Sequence, residues 1–169
     1  MWKRLCPALY LKNLVDLKPQ YLQERGLKGV MLDLDNTLVE WGQVKISPAT
    51  AAWVQEMKQS GLKLCIVSNA LEERVKIVGE TLGIPWVSRA IKPRKLPFKK
   101  ALALLETSPA ETATMGDQLF TDICGGNRMA LFTIWITPLS TTELLVTKMV
   151  RRLEKVVARK LKKKGIISD

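Results

Sequence analysis

The amino-acid sequence predicts an α/β fold, a mostly parallel central sheet with helices on both faces. Three observations predict it. Short apolar runs alternate with stretches of helical spacing from about residue 27 to residue 137, the pattern of successive βαβ units. The runs are apolar throughout instead of alternating, as strands buried on both faces are. Each run also stops at polar residues, whereas the helical stretches stop at glycine. Together these describe a three-layer, Rossmann-like domain, and 169 residues suffice for a single one.

The elements follow in order. Residues 1–26 carry Leu5, Leu9, Leu11, Leu14, Val15 and Leu17, punctuated by Pro7 and Pro19, and are expected to form short helical pieces. A first strand is predicted over 28–34. Ser47-Pro48 reads as a helix start, Ser47 capping and Pro48 at the first position, and the helix runs through Trp53, Val54 and Met57 to Gly61. Strands are expected over 62–67, 84–87, 112–115 and 131–136, and helices over 71–82 (closed by Gly83) and about 121–129. The segment 89–97 is expected to be a loop leading into a helix that ends near Leu105. Pro138 separates this core from a basic amphipathic helix expected over 141–164.

Composition excludes several classes. No stretch offers about 18 uncharged apolar residues, so no membrane-spanning helix is expected. The apolar N-terminus is broken by Lys12 and Asp16 and lacks a small-residue cleavage site, so it is not expected to be a signal peptide. Cys6, Cys65 and Cys124 are odd in number and far apart, which reads as free thiols in a reducing, cytoplasmic setting. The absence of histidine excludes Ser-His-Asp and Cys-His catalysis. Most of the net charge of +11 lies between Lys148 and Lys164, where nine basic residues face Glu154 alone.

The chemistry concentrates where strands end. Asp33-Leu34-Asp35-Asn36-Thr37 follows the apolar run Val30-Met31-Leu32, and strand alternation would turn Asp33 and Asp35 to one side. Two carboxylates that close call for a cation, and Mg²⁺ favours carboxylate oxygens. Ser68-Asn69 follows the second strand, Lys92 lies beyond the third, and Asp117 with Asp122 follows the fourth. A parallel sheet delivers its carboxyl ends to one rim, where ligands bind. Several acids, a hydroxyl and an ammonium gathered there suit a phosphoryl group held through a metal. Plainer roles compete: Thr37 as a turn residue, Ser68-Asn69 or Asp122 as helix caps, and Lys95 or Lys99 in place of Lys92.

This ordered set resembles the haloacid dehalogenase-like (HAD) hydrolase superfamily and, within it, the bacterial YqeG-type group, similar to phosphatidylglycerophosphate phosphatases. Asp33-Leu34-Asp35-Asn36-Thr37, Ser68, Lys92 and Gly116-Asp117-Gln118 through Thr121-Asp122 stand at its four motifs. The resemblance implies a phosphatase in which Asp33 is the nucleophile forming an aspartyl-phosphate. Asp35 would be general acid and then base, crowded by Asp33 and Asp117. Mg²⁺ would be held by Asp33, the Asp35 carbonyl and Asp117, with Asp122 supporting. Ser68 and Lys92 would grip phosphate oxygens, and Thr37 and Asn69 are further candidates for the phosphate site.

The intervals Thr37–Ser68 and Ser68–Lys92 leave no room for the cap domain that many superfamily members carry. An uncapped site suits a large or surface-bound phosphate ester, and the resemblance implies the anionic lipid phosphatidylglycerophosphate. A basic helix over 141–164 would add peripheral contact with an anionic membrane, each basic residue contributing on the order of 1 kcal/mol. The competing expectations are a soluble metabolite, nucleotide or nucleic-acid end as substrate, or a binding module without activity.

Overall fold

The computed structural model describes residues 2–140; the basic helix expected over 141–164 lies outside them. A six-stranded sheet forms the centre: β1 (Leu9–Leu11), β2 (Gly29–Leu32), β3 (Lys63–Val67), β4 (Trp86–Val87), β5 (Thr112–Gly116) and β6 (Phe132–Ile136). Its order is β1-β6-β5-β2-β3-β4, and every pairing is parallel. The helices are α1 (Pro19–Gln23), α2 (Pro48–Gln59), α3 (Glu72–Leu82), α4 (Lys95–Leu105) and α5 (Cys124–Arg128).

Alternation along the strands builds the layers. Val30 and Leu32 of β2, Leu64 and Ile66 of β3, and Met115 of β5 pack against Trp53, Val54 and Met57 of α2 and Val75, Val78 and Leu82 of α3. Met31, Cys65 and Val67 face the other way, onto Phe98, Ala101 and Leu105 of α4. Burying a large side chain of this kind contributes about 1.5–3 kcal/mol. The helix ends follow local chemistry: Ser47 Oγ accepts from Thr50 N–H at 3.0 Å, and Gly61 and Gly83 adopt φ of +87° and +63°, the left-handed region that glycine enters freely.

Three expectations are corrected. Residues 1–26 are not only helical: Leu9–Leu11 is an edge strand parallel to β6, in register Leu9 with Ile134 and Leu11 with Ile136. Leu9 and Leu11 lean on the large core, while the Tyr10 ring packs against Trp135 at 5.1 Å, tilted by 46°. Three residues are too few to display alternation in sequence. The loop after β4 ends sooner than expected, because α4 starts at Lys95 and takes Pro97 into its first turn, where no intrahelical N–H partner is lost. The helix expected over about 121–129 is present but starts earlier, as a π-helical turn, Leu119–Ile123, running into α5.

Between β2 and β3 lie only a loop and α2, and between β3 and β5 only α3, β4, α4 and a 3-10 turn at Pro109–Glu111. Among the described residues the carboxyl rim of the sheet therefore carries no inserted domain. No described helix is long and apolar enough to cross a membrane.

Candidate active site

The rim is built by the residues that follow β2, β3, β4 and β5. Asp33 leaves β2 with its N–H donated to the Met115 carbonyl at 2.9 Å. A tight turn follows: Leu38 N–H reaches the Leu34 carbonyl, Asn36 N–H reaches that of Val39, and Asn36 takes φ of +62°. Buried Leu34 and Leu38 pin the turn from below. Thr37 is also buried and does not line the cleft; its hydroxyl has no hydrogen-bond partner among the described residues. The turn is therefore held by its backbone and its leucines, not by the Thr37 side chain.

Lys92 is the centre of the arrangement. Its Nζ donates to Asp33 Oδ1 at 2.5 Å, Asp122 Oδ1 at 2.6 Å and the Val67 carbonyl at 2.7 Å, using all three ammonium protons. The lysine loop is fastened to the end of β3, since Asn69 Oδ1 accepts from Lys92 N–H at 2.8 Å and the Ser68 carbonyl from Ala90 N–H at 2.9 Å. Lys95 and Lys99, the rival lysines, are exposed on α4. Ser68 is buried beside this loop, its Oγ accepting from Ala70 N–H at 3.1 Å. The cap position of α3 belongs to Leu71, so neither Ser68 nor Asn69 is a helix cap.

Asp33, Asp117 and Asp122 place carboxylate oxygens within 4.8 Å of one another. Asp122 also accepts from Gln118 N–H at 3.2 Å, a local tie that coexists with its bond to Lys92. Burial pushes the Asp33 carboxyl well above the usual carboxylate range; Lys92 opposes this, and Asp122 and Asp117 push further. Burial alone would lower the Lys92 ammonium, but Asp122 and Asp33 outweigh it and its pKa is raised. Three acids against one ammonium leave a formal charge of −2 in a buried, oxygen-only donor set. That composition fits a hard divalent cation, which Asp33, Asp117 and Asp122 would hold.

Asp35 departs from expectation. The strand ends at Leu32, so alternation no longer governs the chain, and the Asp35 carboxylate joins Arg74 of α3 instead of the acidic trio. Arg74 Nη2 and Nη1 reach Asp35 Oδ1 and Oδ2 at 2.6 and 3.2 Å, and Nη2 reaches the Gln43 carbonyl at 2.9 Å. Gly42 N–H donates to Asp35 Oδ1 at 2.9 Å. The like-charge crowding expected around Asp35 thus falls on Asp33. Arg74 was not foreseen: it is one charged residue in a charged helical turn, with no local signature. Gly116 was quoted only as motif punctuation, yet a Cβ there would lie 2.3 Å from Asp122 Cγ, so the bare backbone is what admits the Asp122 carboxylate.

Asp33, Asp35, Asn69, Arg74 and Lys92 line one cleft of about 520 Å³, with Trp41 at its side. An acid held against a buried lysine, beside a cation-demanding cluster on the carboxyl rim of a parallel sheet, defines a phosphoryl-transfer type of site. Comparison with known proteins agrees. Residues 2–139 match the family described as Mitochondrial PGP phosphatase. The chain is 40% identical to "Probable phosphatase YqeG" of Bacillus subtilis (strain 168) over 165 residues, 98% of this chain and 96% of that protein. It is 26% identical to "Phosphatidylglycerophosphate phosphatase 1, chloroplastic/mitochondrial" of Arabidopsis thaliana over 170 residues, 95% of this chain but 49% of that longer protein. In fold it resembles the crystal structure of a HAD phosphatase from Thermococcus onnurineus (TM-score 0.51, 22% identity, 60% of this chain and 51% of that one). The chain belongs to the PGP phosphatase family and is a phosphatase; its fold is that of the HAD structures, with no cap domain among the described residues.

Proposed function

We propose that this protein hydrolyses the terminal phosphomonoester of phosphatidylglycerophosphate, leaving phosphatidylglycerol and inorganic phosphate, by way of an aspartyl-phosphate on Asp33. The observation that carries the reading is the Lys92 ammonium clamped between Asp33 and Asp122, with Asp117 alongside. It keeps one Asp33 oxygen engaged and fixes the carboxylate for in-line attack. The family, and the lipid in the Arabidopsis protein's name, support the substrate. So does a rim that carries no inserted domain among the described residues, which suits a membrane-embedded phosphate.

In the first step the free Asp33 oxygen attacks phosphorus, the bond to the lipid oxygen breaks, and Asp35 delivers a proton to the departing alkoxide. In the second, Asp35 takes a proton from water, whose oxygen attacks phosphorus and returns Asp33 as carboxylate. Arg74 and Gly42 N–H position the Asp35 side chain at the cleft wall. Ser68 and Asn69 would face the phosphoryl oxygens, while Lys92, its three protons engaged, contributes its positive charge nearby. Mg²⁺ bound by Asp33, Asp117 and Asp122, with the Asp35 carbonyl, would supply neutralisation of the charge that develops on the phosphoryl group.

The test is phosphate release from phosphatidylglycerophosphate vesicles, a nucleotide, a sugar phosphate and an aryl phosphate, with Mg²⁺ or EDTA. Wild type is expected to prefer the lipid, and Asp33→Asn to lose activity by more than about 10³-fold, as nucleophile removal does. Borohydride trapping followed by mass spectrometry should mark Asp33. Preference for a soluble phosphate would refute the lipid; an active Asp33→Asn would refute the nucleophile.

A further inference from the structure

Seven large hydrophobic side chains are exposed among the described residues, and five of them sit on the carboxyl rim: Val44 after β2, Leu71 after β3, Ile91 and Leu96 after β4, and Leu139 after β6. Scattered exposure is ordinary, but clustering on the face that carries the cleft is not. Ile91 and Leu96 are 58% and 62% exposed and flank the site lysine and the start of α4. Ile91 also takes φ of +52°, a region costly for a β-branched residue. Packing among the described residues does not account for an isoleucine that is strained and mostly exposed.

The same segment is strongly basic. From Ser88 to Leu105 there is no acidic residue, and Arg89, Arg94, Lys95, Lys99 and Lys100 are all exposed. None of the five forms an ion pair among the described residues. The nearest acid in charge contact is Glu72, which faces Arg89 and is itself occupied by hydrogen bonds from Trp86 and Ser88. A small cleft of about 120 Å³ is lined by Arg89, Arg94 and Lys100 together with Ile91 and Leu96. Unpaired cations interleaved with exposed aliphatic side chains match a surface whose outer layer is anionic and whose inner layer is hydrocarbon.

We propose that the carboxyl rim, led by segment 89–100, is a docking surface for an anionic lipid bilayer, with Ile91 and Leu96 entering the interface and Arg94, Lys95 and Lys100 pairing with lipid phosphates. The inference deepens the lipid-phosphatase reading and rests on it for its purpose: docking through this rim sets the Lys92 cleft against the membrane. It is separate from the basic run 148–164, which lies outside the described residues.

The test uses the full chain and flotation with phosphatidylglycerol–phosphatidylcholine vesicles or phosphatidylcholine alone. The variants are Ile91→Asn/Leu96→Gln, Arg94→Gln/Lys100→Gln, and Leu104→Gln as a control for an exposed leucine at the far end of α4. Asparagine tolerates the left-handed conformation at position 91, and thermal melting verifies that each variant folds. Ile91→Asn/Leu96→Gln should lower partitioning onto anionic vesicles about tenfold, with Leu104→Gln unchanged and hydrolysis of a soluble aryl phosphate unchanged in all variants. The basic pair should lose anionic-vesicle binding and not the weak binding to neutral ones. Wild-type partitioning by Ile91→Asn/Leu96→Gln, or an equal loss in Leu104→Gln, would overturn the proposal. So would an Arg94→Gln/Lys100→Gln variant that loses single-stranded RNA binding while keeping vesicle binding. If the vesicle results hold but wild type releases no phosphate from vesicles that carry phosphatidylglycerophosphate, the docking surface stands and the lipid substrate falls.

Discussion

Replacing Lys92 with alanine removes the one ammonium shared by Asp33, Asp122 and the Val67 carbonyl. The lysine side chain is only 3% exposed and its partner carboxylates 10% and 2%, so water cannot take its place readily. Breaking a buried charge pair by deleting one partner costs about 3–5 kcal/mol. In a chain of this size each kcal/mol moves Tm by about 2–4 °C. Lys92→Ala should therefore melt about 6–20 °C below wild type in EDTA. Three acids left without their cation should also make the variant lean harder on added metal. Saturating Mg²⁺ at about a hundred times its dissociation constant returns about 2.7 kcal/mol to either protein, so the deficit should narrow only by as much as the variant binds Mg²⁺ more tightly than wild type. Calorimetry with and without Mg²⁺ measures both effects, with exposed Lys95→Ala as control, expected within about 0.5 kcal/mol of wild type. A Lys92→Ala melting point within 2 °C of wild type in EDTA, on the scale of about 2–4 °C per kcal/mol, would refute the buried-cluster reasoning. So would an equal loss in Lys95→Ala.

Gly116→Ala forces a methyl group to within 2.3 Å of Asp122 Cγ and should displace that carboxylate from Lys92. Metal affinity or kcat/KM should fall by about 10–100-fold, measured by metal titration and steady-state kinetics. Arg74→Ala frees Asp35 and the Gly42–Gln43 loop; because the pair is half-buried, stability should change by less than about 1 kcal/mol while kcat falls well beyond tenfold. A stability loss without a kcat loss would show Arg74 to be merely structural. Cys65 is fully buried and burial pushes its thiol up to about 12. It should stay protonated and resist iodoacetamide at pH 8 in the native protein, then react on unfolding, as peptide mass spectrometry can follow.

Much of the frame was written locally. Val30-Met31-Leu32 and Leu64–Val67 are apolar at every position because both faces of an inner parallel strand are covered, and that continuity marks them as strands. Ser47, Gly61 and Gly83 mark helix ends through hydrogen-bonding and backbone preferences that belong to single residues. The order of the acids, the serine and the lysine along the chain, each just beyond an apolar run, was enough to bring Asp33, Ser68, Lys92, Asp117 and Asp122 to one rim. What the sequence determined was thus everything carried by periodicity, by caps and by the rule that parallel strands share an edge.

Tertiary structure alone decided the rest. Leu9–Leu11 became a strand because β6, more than 120 residues away, offered an open edge. Lys92 and not Lys95 reached Asp33 because α4 begins between them and turns Lys95 outward. Asp35 found Arg74 across a separation of 39 residues, and Asp122 fits against Gly116 only where the π-helical turn folds back over β5. The physical reason is common to all four. Charge pairing and close packing depend on distances through space between segments remote in sequence, and no local preference encodes a distance that only the completed fold creates.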